Sequence, residues 1–187
     1  MKITNCRLDF LQAIASYLPA MSKGVEIGVL HGDFSQMILD IIKPQKLILI
    51  DPYTNDTTQV YGRELDHISV MYSTEKDYKK VVKRFANEIK TGRVVIEKKT
   101  SYDAVSDYID KAFDFFYVDG CHLYDCVDRD LNDWYPKVKS GGLIMGHDYF
   151  DFDNFGVKQA VDELMKVYGL EMFVLDEVSH DFAIIKR

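Results

Sequence analysis

Two patterns of apolar residues alternate along the chain. Apolar residues at i, i+3, i+4 and i+7, the spacing of a helix that covers a sheet, include Phe34, Met37, Ile38 and Ile41. Between such stretches lie short, nearly continuous apolar runs, which are typical of buried strands. These runs occupy residues 24–29, 46–52, 93–98, 113–120, 142–148, 170–177 and 180–187.

Strands and helices that alternate in this way predict a mostly parallel sheet with helices on both faces. The last two runs are separated by only a few residues around Ser179, which predicts an antiparallel hairpin. No linker or repeat interrupts the sequence, so residues 1–187 are expected to form a single domain that starts with a helix within residues 1–20. The predicted fold class is α/β: a Rossmann-like, doubly wound, mostly parallel seven-stranded sheet with a C-terminal antiparallel hairpin.

Residues 127–138 are predicted to form a helix that ends before Gly141 and Gly142. The acidic residues in and just before this segment are expected to form a solvated helix face outside any functional site. These acids are Asp125, Asp128, Asp130 and Asp133.

The chain has 187 residues and a net charge of −7, without a long block of Lys or Arg. This charge argues against a nucleic-acid or membrane-surface partner and favours a small-molecule substrate. Three cysteines without a CxxC pair indicate a reducing compartment rather than a disulfide framework. No run approaches the roughly 18 apolar residues that span a bilayer. A cytoplasmic location is therefore expected, and a homo-oligomer stays open.

The segment "VEIGVLHGDFSQMIL" joins the first predicted strand to a helix through Gly28 and Gly32. In doubly wound sheets the ligand lies at the carboxyl ends of the strands, and a helix N-terminus there can bind a carboxylate or phosphate. The glycine spacing is not the dinucleotide pattern G-x-G-x-x-G. Asp51 ends the second strand, where an acid is expected to bind ribose hydroxyls. Alternatively, the glycines permit tight packing and Asp51 is a turn acid before Pro52.

Potential metal ligands follow the fourth and fifth predicted strands. Asp119 ends one strand, and His147 and Asp148 end the next. Neighbouring parallel strands deliver these residues to one edge of the sheet, where two carboxylates and an imidazole suit Mg²⁺ or Mn²⁺, with Fe²⁺ as a further option. Alternatively, Asp148 is only a cap for the segment that follows.

The pattern Glu26-x-Gly28-x-x-x-Gly32, together with the closing hairpin, resembles the first motif of the class I methyltransferases that use S-adenosylmethionine. The resemblance extends over about residues 24–187 and implies S-adenosylmethionine as the cofactor. It implies that Glu26 orients the amino-acid end of the cofactor and that Thr100 and Ser101 lie near adenine. The cofactor-binding residues that it implies are Glu26, Gly28, Gly32, Asp51, Thr100, Ser101 and Asp119.

The stretch "YVDGCHLYDCVDRDLNDWYPKVKSGGLIMGHDYF" resembles the macrocin-type sugar O-methyltransferases of a methyltransferase family 24-like branch. That branch has an Asp-Gly-x-His turn and a later acidic pair before Tyr. This resemblance implies that Asp119 and Asp148 bind a metal and that Asp119 and His122 are catalytic, His122 as the general base. His147 stands where these relatives more often have an acid. Alternatively, His122 is a turn residue whose hydrogen bonds are satisfied within the protein.

The resulting function hypothesis is metal-assisted O-methylation of a small hydroxylated acceptor, such as a sugar. A metal ion that binds the hydroxyl lowers its pKa, and a nearby histidine can take the proton. Two alternatives stay open. One is a non-haem metal-dependent hydroxylase of related fold, because histidines with an aspartate can form an iron-binding triad. The other is a non-catalytic protein with a degenerate methyltransferase fold that binds a nucleoside or a protein partner.

The polar segment 53–73 is longer than a plain connection between a strand and a helix. Long loops at the ligand edge of such sheets often cover or contact a substrate. The segment is therefore expected to be a lid or a substrate-contact insertion, with Tyr61, Arg63 and His67 as candidates for acceptor recognition. Alternatively, it is an ordered surface insertion or a dimer contact.

Overall fold

A computed structural model describes residues 2–3, 7–58, 64, 73–152 and 155–187. Eight strands form one sheet in the order β1-β7-β8-β6-β5-β2-β3-β4. Their bounds are β1 Lys2–Ile3, β2 Lys23–Ile27, β3 Lys46–Ile50, β4 Val94–Glu97, β5 Phe113–Val118, β6 Val138–Gly146, β7 Met172–Asp176 and β8 Phe182–Ile185. The seven predicted strands are confirmed, and the two-residue β1 extends the sheet beside β7.

The helices lie between the strands, as the alternation of patterns predicts. They are α1 Arg7–Ala15, α2 Asp33–Ile41, α3 Glu75–Arg84, α4 Ala86–Lys90, α5 Ser101–Ala104, α6 Tyr124–Trp134 and α7 Val157–Tyr168. Helix α3 begins with a capping box in which Thr74 and Asp77 bind each other's backbone N–H groups. None of the described helices is long and apolar enough to cross a bilayer.

The helix predicted over residues 127–138 ends earlier than expected. Helix α6 stops at Trp134, and a 3₁₀ turn over Tyr135–Lys137 that contains Pro136 leads directly into β6. Val138 is therefore the first residue of a strand, and Gly141 and Gly142 lie within that strand rather than closing the helix. The proline supplies the reason, because its ring and missing N–H stop an α-helix from continuing.

The topology places a crevice beside β2. Strand β2 pairs in parallel with β3 on one side and with β5 on the other. The chain runs outward from β2 through β3 to β4, and then returns to build β5 and β6 on the opposite side. Strand β8 is antiparallel to both β6 and β7, which confirms the predicted hairpin. The reversal of strand order next to β2 is the point where sheets of this kind bind ligands.

Two apolar layers bury the faces of the sheet. On one face β5 contributes Phe116 and packs against α6 and α7, including the fully buried Trp134. On the other face it contributes Phe115 and packs against α1, α2 and α3. Continuous burial along β5 explains why its sequence is a nearly unbroken apolar run.

Candidate active site

A cavity of about 700 Å³ opens at the carboxyl ends of β2, β3, β5 and β6. Its position is the ligand edge that the sheet topology predicts. Of the described residues, Gly32 is the one predicted site residue that does not line it. The predicted residues that do are Glu26, Gly28, Asp51, Thr100, Ser101, Asp119, His122, His147 and Asp148.

Gly28 lies where the ends of three strands meet. Its φ of +84° falls in the left-handed region, and its N–H donates to the Ile50 carbonyl at 3.0 Å. A Cβ at this position would lie 1.9 Å from the carbonyl oxygen of Asp119. Only glycine fits such a conformation and approach. Gly28 therefore allows the end of β5 to pack against the turn after β2, next to the cavity.

Gly32 has a different setting from Gly28. It is the N-cap of α2, with φ +75°, and a Cβ there would lie 2.8 Å from the ring of Phe85. The structure gives Gly32 a packing role under the loop, as the packing alternative proposed. Its contact with a cofactor stays a prediction.

The carboxylate of Asp51 organises the loops around the cavity. Its Oδ2 accepts hydrogen bonds from the N–H groups of Val29 and Leu30 at 3.0 and 2.9 Å. Its Oδ1 accepts from the N–H of Tyr53 at 2.8 Å and from the Ser73 hydroxyl. The same carboxylate thus fixes the turn after β2 and both described ends of segment 53–73. All of these donors to Asp51 are protein groups, so they do not test the predicted contact with ribose, which stays a prediction.

Glu26 carries a buried carboxyl group that protein groups do not fully satisfy. The residue is 1% exposed, and among the described residues its Oε2 has no hydrogen-bond partner. Burial raises the pKa of Glu26 from 4.5 to about 8, because the charged form loses its hydration. A buried carboxyl oxygen without a hydrogen-bond partner destabilises the folded state. Its position in a cavity wall indicates that a ligand could donate the missing hydrogen bond.

Arg7 is a site residue that the sequence did not indicate. It is the first residue of α1, yet its Nη2 donates to Asp119 Oδ2, 112 residues away, at 2.9 Å. The same nitrogen contacts the Tyr117 hydroxyl, and Nε lies 3.4 Å from Asp181 Oδ1. The guanidinium also packs over the Phe34 ring at 4.1 Å. No local pattern marks this arginine, because all of these partners are distant in sequence.

The potential metal ligands converge where β5 and β6 end. One oxygen or nitrogen from each of Asp119, His122 and Asp148 lies within 4.8 Å of the others. His122 Nε2 is 3.1 Å from Asp148 Oδ2, and His147 Nδ1 is 3.0 Å from the same oxygen. The predicted set contained His147, whereas the described group contains His122. Both histidines contact Asp148 Oδ2, and a ligand role for His147 stays a prediction.

Charge distribution at this rim follows from these pairs. Burial acts to lower the pKa of His147, but the hydrogen bond to Asp148 and the charge of Asp119 outweigh it and raise that pKa. For Asp148, burial acts to raise the pKa, and the bond from His147 with its charge outweighs burial and lowers it. Asp148 is therefore held as a carboxylate, the form that binds a cation.

Asp148 also has an unusual backbone. Its φ is +61°, a conformation that non-glycine residues adopt rarely. The next residue, Tyr149, donates its N–H to the His180 carbonyl at 3.0 Å, which ties the end of β6 to the turn between β7 and β8. Backbone strain of this kind is concentrated at functional sites.

Another part of the cavity contains the buried acid Asp130, which we expected on a solvated helix face. Asp130 is 7% exposed, lines the cavity and accepts a hydrogen bond from the Ser101 hydroxyl. Burial raises the pKa of Asp130 to about 7. The expectation of a solvated acid was wrong for Asp130, and the exposed Asp125 also lines the cavity. Thr100 accepts from the Asp103 N–H as the N-cap of α5.

Residues 25–149 match the family model Methyltransf_24, described as "Methyltransferase domain". This match covers more than half of the chain, including both rims of the cavity. The chain belongs to this methyltransferase family. Two uncharacterized proteins also match. The one from Acanthamoeba polyphaga mimivirus is 30% identical over 68% of this chain and 52% of its own length, and the one from Sinorhizobium fredii is 30% identical over 50% and 10%. The matches thus span about half, or less, of those relatives.

Solved structures share the fold of this methyltransferase at low sequence identity. A Corynebacterium glutamicum protein superposes with a TM-score of 0.70 at 13% identity, covering 96% of this chain and 80% of that one. The O-methyltransferase NovP gives 0.68 at 20% identity, covering 96% and 79%. An O-methyltransferase from Bacillus cereus in complex with SAH gives 0.62 at 11% identity, covering 98% and 82%. The Rossmann-like methyltransferase fold is thereby confirmed.

The wall of the cavity carries hydrogen-bonding groups of the kinds that S-adenosylmethionine needs. Glu26 offers an unpartnered acceptor at one end, as an ammonium group requires. Ser101 and Asp130 offer polar groups at the other end. Of the insertion candidates, Tyr61, Arg63 and His67 lie outside the described residues, so their role stays a prediction.

Proposed function

We propose that this methyltransferase transfers a methyl group from S-adenosylmethionine to a hydroxyl of a small molecule, with assistance from a divalent cation. The observation that supports this best is a single cavity lined by two chemically different groups of residues. The unpartnered oxygen of Glu26 belongs to the end that would receive the cofactor. The cluster of Asp119, His122 and Asp148 belongs to the rim that would receive the acceptor.

The cofactor would be held from its amino-acid end to its base. Glu26 would accept a hydrogen bond from the ammonium group, and the loop fixed by Asp51 would follow the ribose. Ser101 and Thr100 would lie near adenine. When bound, S-adenosylmethionine supplies a methyl group on a sulfonium, whose transfer needs an in-line approach. The contribution of these residues is therefore orientation.

A divalent cation would be held by Asp119, His122 and Asp148, and His147 would fix the orientation of Asp148. A cation at this position supplies Lewis acidity that makes an acceptor hydroxyl easier to deprotonate. Two carboxylates with one imidazole suit Mg²⁺ or Mn²⁺. The hydroxylase alternative calls for two imidazoles and one carboxylate. The match to a methyltransferase family model favours methyl transfer instead.

His122 has two proposed roles that compete. As the general base it would need a free nitrogen next to the acceptor hydroxyl. As a metal ligand it would use that nitrogen for the cation. Its Nε2 lies 3.1 Å from Asp148 Oδ2, within the metal cluster, which supports the ligand role. His122 also packs against Phe155, with ring centroids 4.5 Å apart.

The acceptor would bind next to this aromatic pair. Phe155 lines the cavity and contacts Phe150 and Phe152 at centroid distances of 5.6 and 5.4 Å, which places an apolar ring beside the polar ligands. An apolar face next to hydrogen-bonding groups is a common composition for small-molecule sites. It supports a ring-shaped hydroxylated acceptor, such as a sugar.

The test is transfer of isotope-labelled methyl groups from S-adenosylmethionine to a panel of sugars and other hydroxylated small molecules, with Mn²⁺ or EDTA. We expect a labelled product with Mn²⁺, loss of that product in EDTA, and recovery when Mn²⁺ is restored. The variant Asp148→Ala should show no transfer. Transfer that survives complete chelation would overturn the role of the metal. Absence of both transfer and cofactor binding would overturn the proposed activity.

A further inference from the structure

Arg7 lines the cavity wall, where its Nη2 donates to Asp119 Oδ2 at 2.9 Å. Two fully buried groups also contact its guanidinium: the Asp181 carboxylate and the Tyr117 hydroxyl. The Tyr117 hydroxyl donates a hydrogen bond to Asp181. Asp181 is itself held by the Ser179 hydroxyl at 2.5 Å. An arginine stays charged at all physiological pH values. The fold therefore holds a permanently charged guanidinium in the wall of the cavity, with Asp119 and Asp181 as its counter-ions.

Several backbone N–H groups of the turn after β2, which the sequence predicted to bind an anion, already donate to protein acceptors. The N–H groups of Gly28 and Gly32 donate to the carbonyls of Ile50 and Val29. The N–H groups of Val29 and Leu30 donate to Asp51. A carboxylate at this end of the cavity could use the N–H groups of the first turn of α2, which has no side-chain cap. Arg7 adds a charged donor beside that turn, because its guanidinium lies 4.1 Å from the Phe34 ring centroid.

Charge complementarity at this end fits a zwitterion. Glu26 presents a nearly fully buried oxygen that has no hydrogen-bond partner among the described residues. An α-amino acid group carries an ammonium and a carboxylate on one carbon, so it needs an acceptor and a cation side by side. Among the described residues that line the cavity there are two arginines. The second, Arg129, packs over Tyr102 at the opposite end, at 4.0 Å.

We propose that Arg7 binds the carboxylate of the methionine portion of S-adenosylmethionine, while Glu26 accepts a hydrogen bond from its ammonium group. This inference rests on the proposed function. Asp181 is then a positioning residue that orients Arg7 through its Nε. Arg7 and Asp181 both lie outside residues 25–149, which match the family model. The segments before and after the matched region thus complete the cofactor site of this chain.

Calorimetric titrations with three ligands test the inference. S-Adenosylhomocysteine carries the carboxylate and the ammonium, its decarboxylated analogue carries only the ammonium, and 5′-methylthioadenosine carries neither. In the variant Arg7→Met we expect affinity for S-adenosylhomocysteine to fall about 10- to 100-fold, the range for a lost hydrogen-bonded charge. Affinities for the other two ligands should stay within about twofold. Arg7→Lys, which keeps the charge without the planar fork, should show a smaller loss.

The matched control is Arg129→Met, at the other end of the cavity. It should leave the affinity ratio of S-adenosylhomocysteine to 5′-methylthioadenosine unchanged. Asp181→Asn should lower that ratio in the same direction as Arg7→Met. The inference is overturned if Arg7→Met and Arg7→Lys weaken all three ligands equally, or weaken none. If the wild-type protein binds no adenosyl ligand, the proposed function fails first, and the inference fails with it.

Discussion

At Glu26 the chain buries a carboxyl group whose pKa, about 8, lies well above the ordinary 4.5. The folded state therefore binds this proton more tightly than the unfolded chain does. The stability that it contributes is fully present below pH 4.5 and is lost as the pH rises through 8. Because its ionised form destabilises the folded state, Glu26 is better explained by a role in ligand binding than by a role in folding.

The variant Glu26→Gln tests this interpretation by removing the charge while keeping the shape. We expect the ligand-free variant to be more stable than the wild type at pH 8.5, by about 1–3 kcal/mol. At pH 5 the two should differ little, because Glu26 is then protonated in the folded protein. Urea denaturation at both pH values measures the difference. A variant that is less stable at pH 8.5 would contradict the account.

Mutations of the two histidines separate the ligand role from the positioning role. We expect His122→Ala to weaken Mn²⁺ binding about 100-fold, because it removes a ligand. His147→Ala should weaken it about tenfold, since it removes only a partner of Asp148. Electron paramagnetic resonance of free Mn²⁺ gives both affinities. The reverse order would restore the set that the sequence predicted, with His147 as the ligand.

The errors at individual residues have physical causes. Asp130 follows Val127 by three residues and precedes Trp134 by four, so helical spacing already placed it on the buried face of α6. Its acidic character masked that signal, and its partner Ser101 lies on another element. Arg7 gave no signal, because its partners become neighbours only after the sheet forms.

The junction of β2, β3 and β5 depends on the close approach of backbones at Gly28. Gly92 is a matched control that separates the effect of this close approach from the effect of a left-handed backbone. Gly92, between α4 and β4, has φ +74° and no heavy atom within 4 Å of an added Cβ. Gly28 has φ +84° and meets Asp119. The pair differs mainly in the space available to a methyl group.

We expect Gly92→Ala to destabilise the protein by about 1 kcal/mol, the effect of a left-handed alanine. Gly28→Ala should destabilise it by about 3 kcal/mol or more, because the end of β5 must move away. The same variant should lose affinity for S-adenosylhomocysteine. Denaturant unfolding and calorimetry measure both effects. Equal destabilisation by the two variants would show that the approach to Asp119 is unimportant.

Helices and strands of this chain were largely predictable, and their ends were less so. Strand β5 was readable because it is buried on both faces. The end of α6 was misplaced because Val138 continues the helical spacing of apolar residues, although Pro136 precedes it. Strand β1, with two residues, is too short to produce a periodic pattern.

The sheet explains how distant parts of the sequence form one site. Its reversal of strand order beside β2 brings Glu26 and Asp119 to one edge, as the alternating pattern predicted. The sequence also indicated most of the cavity residues that we propose to bind the cofactor and a metal. It could not indicate the hydrogen bonds that Asp51 makes to loops, because those depend on the packed positions of the strand ends.

Binding of S-adenosylhomocysteine to the wild-type protein tests the central claim most directly. Calorimetric titration should show saturable binding with one ligand per chain. The variant Glu26→Gln, which removes the charge but not the cavity, should bind about tenfold or more weakly at pH 8.5. A wild-type protein without saturable binding, or a Glu26→Gln variant with undiminished affinity, would contradict the account of this cavity as the cofactor site.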